Sequence, residues 1–286
     1  MWTVTPDRQA VSEAFARESE RLVERVRGCR DLRDPVPGLK WTVAELAAHL
    51  TAVYMVFGAA LRGGYQDTDL ERAVSGASAD DGLPGTIAAA NDYAVGLLTA
   101  NDARTAADGL AAQAAAYLEA FAATQDDDLA REVETPWYGI GMTRSVGTIA
   151  SLAVTESLVH GRDLALALRA DPKMSEGSAV AATPTVMSAM LPLLFDARTA
   201  KGMKADYEVR IRGGQRFALR VAEGKAECTE AGARGVDCVL TIDPCAALLI
   251  GFRRRSLAHV LLSGGVVAYG RRPWLGLRFP SLFATP

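Results

Sequence analysis

The chain of 286 residues holds only three histidines, His49, His160 and His259, and two of them lie inside strongly apolar stretches. Along VGTIASLAVTESLVHGRDLALAL, residues Val146, Ile149, Ala153, Glu156, His160 and Leu164 recur at steps of three and four, the repeat of one helical face. Glu156 and His160 stand four apart, so both side chains project to the same spot on that face. The flanking positions Leu152, Val154, Leu158 and Val159 are apolar too, and the helix is expected to be buried. A carboxylate and an imidazole on a buried stripe require partners, because an uncompensated buried charge is strongly unfavourable. His49 sits between Leu46 and Val53 on a second apolar run and would also face inward. Two ring nitrogens and one carboxylate from two helices could therefore meet around one divalent cation. Three protein ligands leave a position open for water or substrate. A group bound there has its pKa lowered, and a thiol would be deprotonated.

A plainer arrangement competes with this one: Glu156 and His160 as a simple ion pair, and His49 as a core histidine bonded to a carbonyl. Glu45, four residues before His49, is either the third member of a helix cap or an acceptor behind the His49 ring. Asp163, three after His160, either supports that imidazole in the same way or pairs at the surface. His259 reads as structural or exposed. The densest basic run is Arg253, Arg254 and Arg255. An arginine fork grips carboxylates in bidentate fashion, so Arg254 first and Arg253 next are candidates to hold an anionic substrate. The alternative for each is a solvated turn. Trp137 and Tyr138 could line the site, and Trp41 reads as a packing residue.

The elements that must position these groups are legible in outline. Thr5 or Pro6 to Arg27 is amphipathic, and Gly28 with DPVPG ends it. Thr42 with Glu45 marks the start of a second helix running to Gly63. Gly63 to Gly85 reads as a long loop. Thr86 to Thr124 is a third helical region, broken at Asn101–Asp102, and about Ser145 to Ala170 is the fourth, ended by Asp171–Pro172. These describe a four-helix bundle over 1–172. A bridge over 173–204 contains a helix from about Thr185 to Phe195. From Ala205 the period becomes two: Tyr207, Val209 and Ile211, a two-residue Gly213–Gly214 turn, then Phe217, Leu219 and Val221. Asp237–Asp243 and Val266–Tyr269 read as further strands. Pro244 to Phe252, Ser256 to Leu262 and Trp274 to Phe283 read as helices. The expected fold class is a helical bundle followed by a small α+β domain with an antiparallel sheet over 205–286.

Composition narrows the partners. Net charge is −3, which offers no polyanion-binding surface and argues against nucleic acid. The start, MWTVTPDRQAVSEAF, has no basic segment followed by an apolar one, and no uninterrupted apolar run reaches about 18 residues; a cytoplasmic protein with no membrane span is expected. The four cysteines, Cys29, Cys228, Cys238 and Cys245, lack close pairing and are expected to be ordinary thiols. Nothing in the sequence speaks to oligomeric state.

Two stretches carry a family resemblance. VPGLKWTVAELAAHL, Val36 to Leu50, resembles the Trp-Thr-Val-x-x-Leu-x-x-His start of the second helix in the mycothiol-dependent maleylpyruvate isomerase family, within the DinB-like metal-binding bundles. TESLVHGRDLALAL, Thr155 to Leu168, resembles that family's second signature, a Glu four residues before the His of His-x-x-Asp-Leu-Ala. The resemblance spans most of residues 5 to 170 and implies that His49, Glu156 and His160 bind a divalent metal, usually zinc. DCVLTIDPCAALLIGFRRRSLAHVLLSGGVVAYG resembles the sterol-carrier-protein-like domain that often follows this bundle, though Gly270–Arg271 stands where Gly-Asp is common. The implied chemistry uses mycothiol, a small actinobacterial thiol, as cosubstrate with a small electrophile. Its thiolate would add to a conjugated cis double bond, the C–C bond would rotate, and the thiol would leave, as in the conversion of maleylpyruvate to fumarylpyruvate. Relatives that transfer the thiol to an electrophile imply an S-transferase as the second outcome. A metal-dependent hydrolase and a non-catalytic lipid binder with a structural metal remain as alternatives. A basic cleft at the metal would favour the thiol enzyme, and a large apolar tunnel in 205–286 the binder.

Overall fold

The computed structural model describes residues 2–64, 72, 75, 82–232 and 235–284. Helix α1, Arg8–Arg27, starts where the Asp7 carboxylate accepts from the Ala10 amide at 2.7 Å. Its buried stripe runs Val11, Phe15, Leu22 and Val26. Helix α2, Val43–Leu61, carries the expected capping box of Thr42 and Glu45. Helix α3, Gly82–Leu98, and helix α4, Ala103–Ala122, divide the third region at the foreseen break, with Asp102 capping α4 through the Thr105 amide. Helix α5, Val146–Ala167, is buried along most of its length. Helices α1, α2, α4 and α5 form the bundle, with α3 laid outside against α2. The part of the expected 63–85 loop at residues 65–71, 73, 74 and 76–81 lies outside the described residues.

A short hairpin not foreseen in the sequence joins α4 to α5. Strands β1, Glu132–Glu134, and β2, Thr143–Ser145, pair antiparallel and carry a 3₁₀ turn at Pro136–Tyr138 between them. Helix α6, Glu176–Leu194, begins nine residues earlier than the expected Thr185 start and lies along α5 and α1. Pro184 and Pro192 stand inside it. Each withholds one amide from the helical ladder, and such a residue reads as a boundary in sequence. By length and composition α2 and α6 could each cross a membrane, but 67% of the apolar window of α2 and 56% of that of α6 is buried within the fold, the mark of core helices.

The C-terminal sheet has the order β5-β4-β3-β6-β7. Its strands are β3, Ala205–Ile211; β4, Arg216–Ala222; β5, Lys225–Glu230; β6, Cys238–Ile242; and β7, Val266–Tyr269. Three pairs are antiparallel and β3–β6 is parallel, because the chain crosses from the β5 edge to the far side of β3. The β3–β4 register opposes Arg210 to Arg216, and Ile211 donates to Gln215 O, so the loop is the three residues Arg212 to Gly214 rather than a two-residue turn. Gly213, at φ +70°, supplies the left-handed residue this loop needs. The expected closing helix splits into α9, Leu275–Arg278, and a 3₁₀ turn, Phe279–Leu282, since Pro280 cannot continue the α ladder.

The two cores are stitched together. Val4 packs into the sheet core, and its amide donates to Ser188 Oγ of α6 at 2.9 Å. Helix α7, Pro244–Gly251, packs on α6 and α5 and brings the sheet domain against the bundle. It ends in a Schellman motif: Arg254 N donates to Leu249 O at 2.7 Å and Arg253 N to Ile250 O at 3.0 Å. Arg253 occupies the left-handed position, φ +53°, where glycine is the unstrained choice. Arg253→Gly is therefore expected to raise stability by up to about 1 kcal/mol. Chemical denaturation would test this, and a lower midpoint would refute the assignment of strain.

Candidate metal centre

His49 enters from α2, and Glu156 and His160 enter from α5. Glu156 Oε2 lies 3.4 Å from His49 Nε2 and 3.1 Å from His160 Nε2. One ligand atom from each residue lies within 4.8 Å of the other two. The ring centroids of His49 and His160 are 5.0 Å apart at 79°. Nothing in this geometry calls for repacking before a cation could be held. Among the described residues no cysteine joins the group; all four are free thiols, and burial pushes Cys245 up to about 11 and Cys228 up to about 12.

Electrostatics separate the three candidate ligands. Burial lowers the His49 pKa, and the nearby His160 charge adds to that, so His49 is neutral. Burial opposes charge on His160 as well, but Asp163 and Glu156 outweigh it and lift the group to about 9. Burial likewise opposes the Glu156 carboxylate, and the two imidazoles hold it far below the usual carboxylate range. The three side chains by themselves are thus an anion between a cation and a neutral ring. That donor set, two imidazole nitrogens and a charged oxygen, suits zinc, nickel or iron.

Asp163 stands behind His160, as one of the two sequence alternatives had it. Its Oδ2 is 3.3 Å from His160 Nδ1, an ion-pair approach whose angle falls short of a hydrogen bond. Asp163 is fully buried and receives Arg254 in bidentate fashion, Nε at 3.0 and 2.9 Å and Nη2 at 2.7 Å. Arg254 also donates to Phe252 O. The guanidinium thus belongs to a chain that runs Arg254–Asp163–His160–Glu156 from one domain into the other.

The other assignments divide. Glu45 is not behind His49: its carboxylate accepts from the Thr42 amide at 2.7 Å and hydroxyl at 2.9 Å, which keeps it at the helix start. The side chain that hydrogen-bonds His49 besides Glu156 is Asn91 of α3, which the sequence reading missed because no periodic signal marks it. Arg253 is also not at the centre; it is exposed and lines a separate surface hollow with Asp196 and Arg255. Trp137 and Tyr138 do line the cavity beside His49, Glu156 and His160, together with Trp41, whose ring lies 4.8 Å from His49. The hairpin turn carries them there, with Trp137 against Phe57 at 5.4 Å. Arg144 of β2, 5% exposed, lies 5.3 Å over the Tyr138 ring. His259, in the short helix α8, Leu257–Leu262, is exposed. The cavity itself measures about 320 Å³.

No curated protein matches the sequence. Crystal structures of the mycothiol-dependent maleylpyruvate isomerase and of a point mutant of it align with 92% of this chain and 92% of theirs, at 12% identity and a TM-score of 0.50. At that identity the likeness is one of fold. The family model for the mycothiol maleylpyruvate isomerase N-terminal domain matches residues 12–165, more than half of the chain, and the chain belongs to that family.

Proposed function

We propose that this protein is a cytoplasmic metal- and mycothiol-dependent enzyme, an isomerase or S-transferase acting on an electrophile at the His49–Glu156–His160 centre. The observation that carries the reading is the meeting of those three side chains, from two distant stretches, at one wall of a largely apolar cavity. A divalent metal held there, zinc first among the candidates, would keep a thiol as thiolate at neutral pH. The protein's own groups do the positioning. Asp163, charged and backed by Arg254, stands at His160 Nδ1 and leaves Nε2 toward Glu156. Trp41 and Phe252 flank the imidazoles and keep water from their faces. Trp137 and Tyr138 form the side from which a substrate would be held. We read 1–172, 173–204 and 205–286 as bundle, bridge and sterol-carrier-like domain, with α6 as the bridge.

Cobalt substitution tests the thiol arm. Mycothiol added to the cobalt-loaded protein is expected to produce thiolate-to-metal absorption, and an unchanged spectrum would count against thiol binding. Turnover of electrophiles without any thiol would instead favour a hydrolase. Proton release tests the ligand assignment. His160 titrates near 9 in the metal-free protein, so it is protonated at pH 7 and must lose that proton to bind metal. Loading at pH 7 is expected to release about one proton per site, falling away as pH rises past about 9. Titration in weak buffer with an indicator dye would detect it, and no release at pH 7 would reject His160 as a ligand.

A further inference from the structure

The cavity beside the three residues is walled mostly by carbon. Val53, Phe57, Leu152, Met190 and Leu191 are representative, and Leu97, 64% exposed, marks its mouth. Among the described residues lining it, Arg254 is the one permanent cation, and its charge is already matched by the buried Asp163 carboxylate. A small dicarboxylate would bring two charges into this space; a metal at the centre could take one, and no free guanidinium among the described lining residues is left for the other, which is strongly disfavoured.

A second pocket, of about 130 Å³, lies between α6 and the sheet, and no side chain lining it is polar. Met187, Leu191, Leu194, Ala247 and Gly251 line both spaces. The two therefore abut through the flexible and small residues of α6 and α7, one end at the metal ligands and the other under the sheet.

We propose that the substrate is an electrophilic carbonyl compound with a linear apolar tail, its reactive end at the His49–Glu156–His160 centre and its tail passing Met187 and Leu191 into the pocket under the sheet. This rests on the reading of the centre as a site of thiol addition. Addition to a conjugated carbonyl makes one S–C and one C–H bond at the expense of one S–H bond and the C=C π bond, so no oxidant or reductant is required. The lipid-binding and thiol-enzyme alternatives then describe two ends of one ligand.

The test has two arms on the metal-loaded full-length protein. In the first, straight-chain 2-enals of four to twelve carbons are compared with maleylpyruvate as electrophiles for mycothiol. In the second, straight-chain alcohols of four to twelve carbons displace anilinonaphthalene sulfonate, a readout that needs no thiol. Affinity and kcat/KM are expected to rise about threefold to fourfold per methylene until the pocket fills. Leu191→Trp is expected to flatten that slope for the longer members. Alcohol affinity independent of chain length, or maleylpyruvate turned over faster than every enal, overturns the proposal. Absence of turnover with all electrophiles would sink the thiol reading alone, and the alcohol series would still decide the tail.

Discussion

His49→Ala is expected to lower bound metal from one equivalent to well below a tenth, and with it all thiol-dependent turnover. The argument is one of ligand count and of chain separation. Glu156 and His160 are one helical turn apart on α5 and stay together whatever α2 does; His49 is the sole ligand that α2 contributes. Losing it reduces a three-ligand site to a two-ligand site. Loss of a group that merely supports a ligand costs about 10–100-fold in affinity, so loss of the ligand itself should exceed 100-fold. The fold should survive, because the change exchanges a neutral ring for a methyl in a helix that is capped at Thr42 and anchored by Leu46, Leu50 and Tyr54. His259→Ala is the matched control: that residue is exposed in α8 and outside the three-residue group, and metal content should not change. Metal analysis of both purified variants, with circular dichroism to verify helicity, settles the matter. A full equivalent retained by His49→Ala would remove His49 from the centre.

The centre was legible because its residues obey helical arithmetic. Glu156 and His160 fall on one face at a spacing of four, and His49 sits on the apolar face of a helix whose start is spelled out by Thr42 and Glu45. At Glu45 the sequence left two readings open, a cap three residues after Thr42 and a ring support four residues before His49, and the Thr42 amide decides for the cap. Arg254 was picked out by charge density, yet its role could not be. Whether a guanidinium is free for substrate depends on a partner 91 positions away, and no local pattern encodes that. Arg253 was misplaced for a backbone reason: its left-handed conformation reverses the chain, sending neighbours to opposite sides. The hairpin around Trp137 has strands of three residues, too short for alternation to register. Strand β5, KAECTE, turns only the small side chains of Ala226 and Cys228 inward, a weaker signal than the large apolar residues that exposed β3 and β4. The apolar passage along α6 was hidden for a related cause, since Pro184 cut the helix in two on the page while tertiary packing keeps it whole.

The Asp163–Arg254 pair should separate stability from metal affinity. Asp163 is fully buried and ionised: burial works against its charge, but His160 and Arg254 together hold its pKa down. Asp163→Asn keeps the shape and removes the charge, leaving the Arg254 side chain, 13% exposed, without its carboxylate. Breaking a buried pair from one side costs about 3–5 kcal/mol, and the slight exposure of Arg254 places the expected loss near about 3 kcal/mol, or roughly 6–10 °C in Tm. The same change removes the anion behind His160 Nδ1, and metal affinity should fall about 10–100-fold. Arg254→Met added to Asp163→Asn removes the nearer of the two stranded guanidiniums, leaving Arg162, whose Nη1 lies 3.6 Å from Asp163 Oδ1. The double variant is expected to regain part of the stability, since a neutral pair removes the stranded Arg254 charge while Arg162 and the buried amide keep some of the cost. It should not regain the metal affinity, because nothing charged then stands behind His160. Thermal unfolding and competitive chelator titration of the two single variants and the double variant read these quantities independently. If metal affinity returned along with stability, Asp163 would be acting on the fold alone, and the relay from Arg254 to the ligand would have to be abandoned.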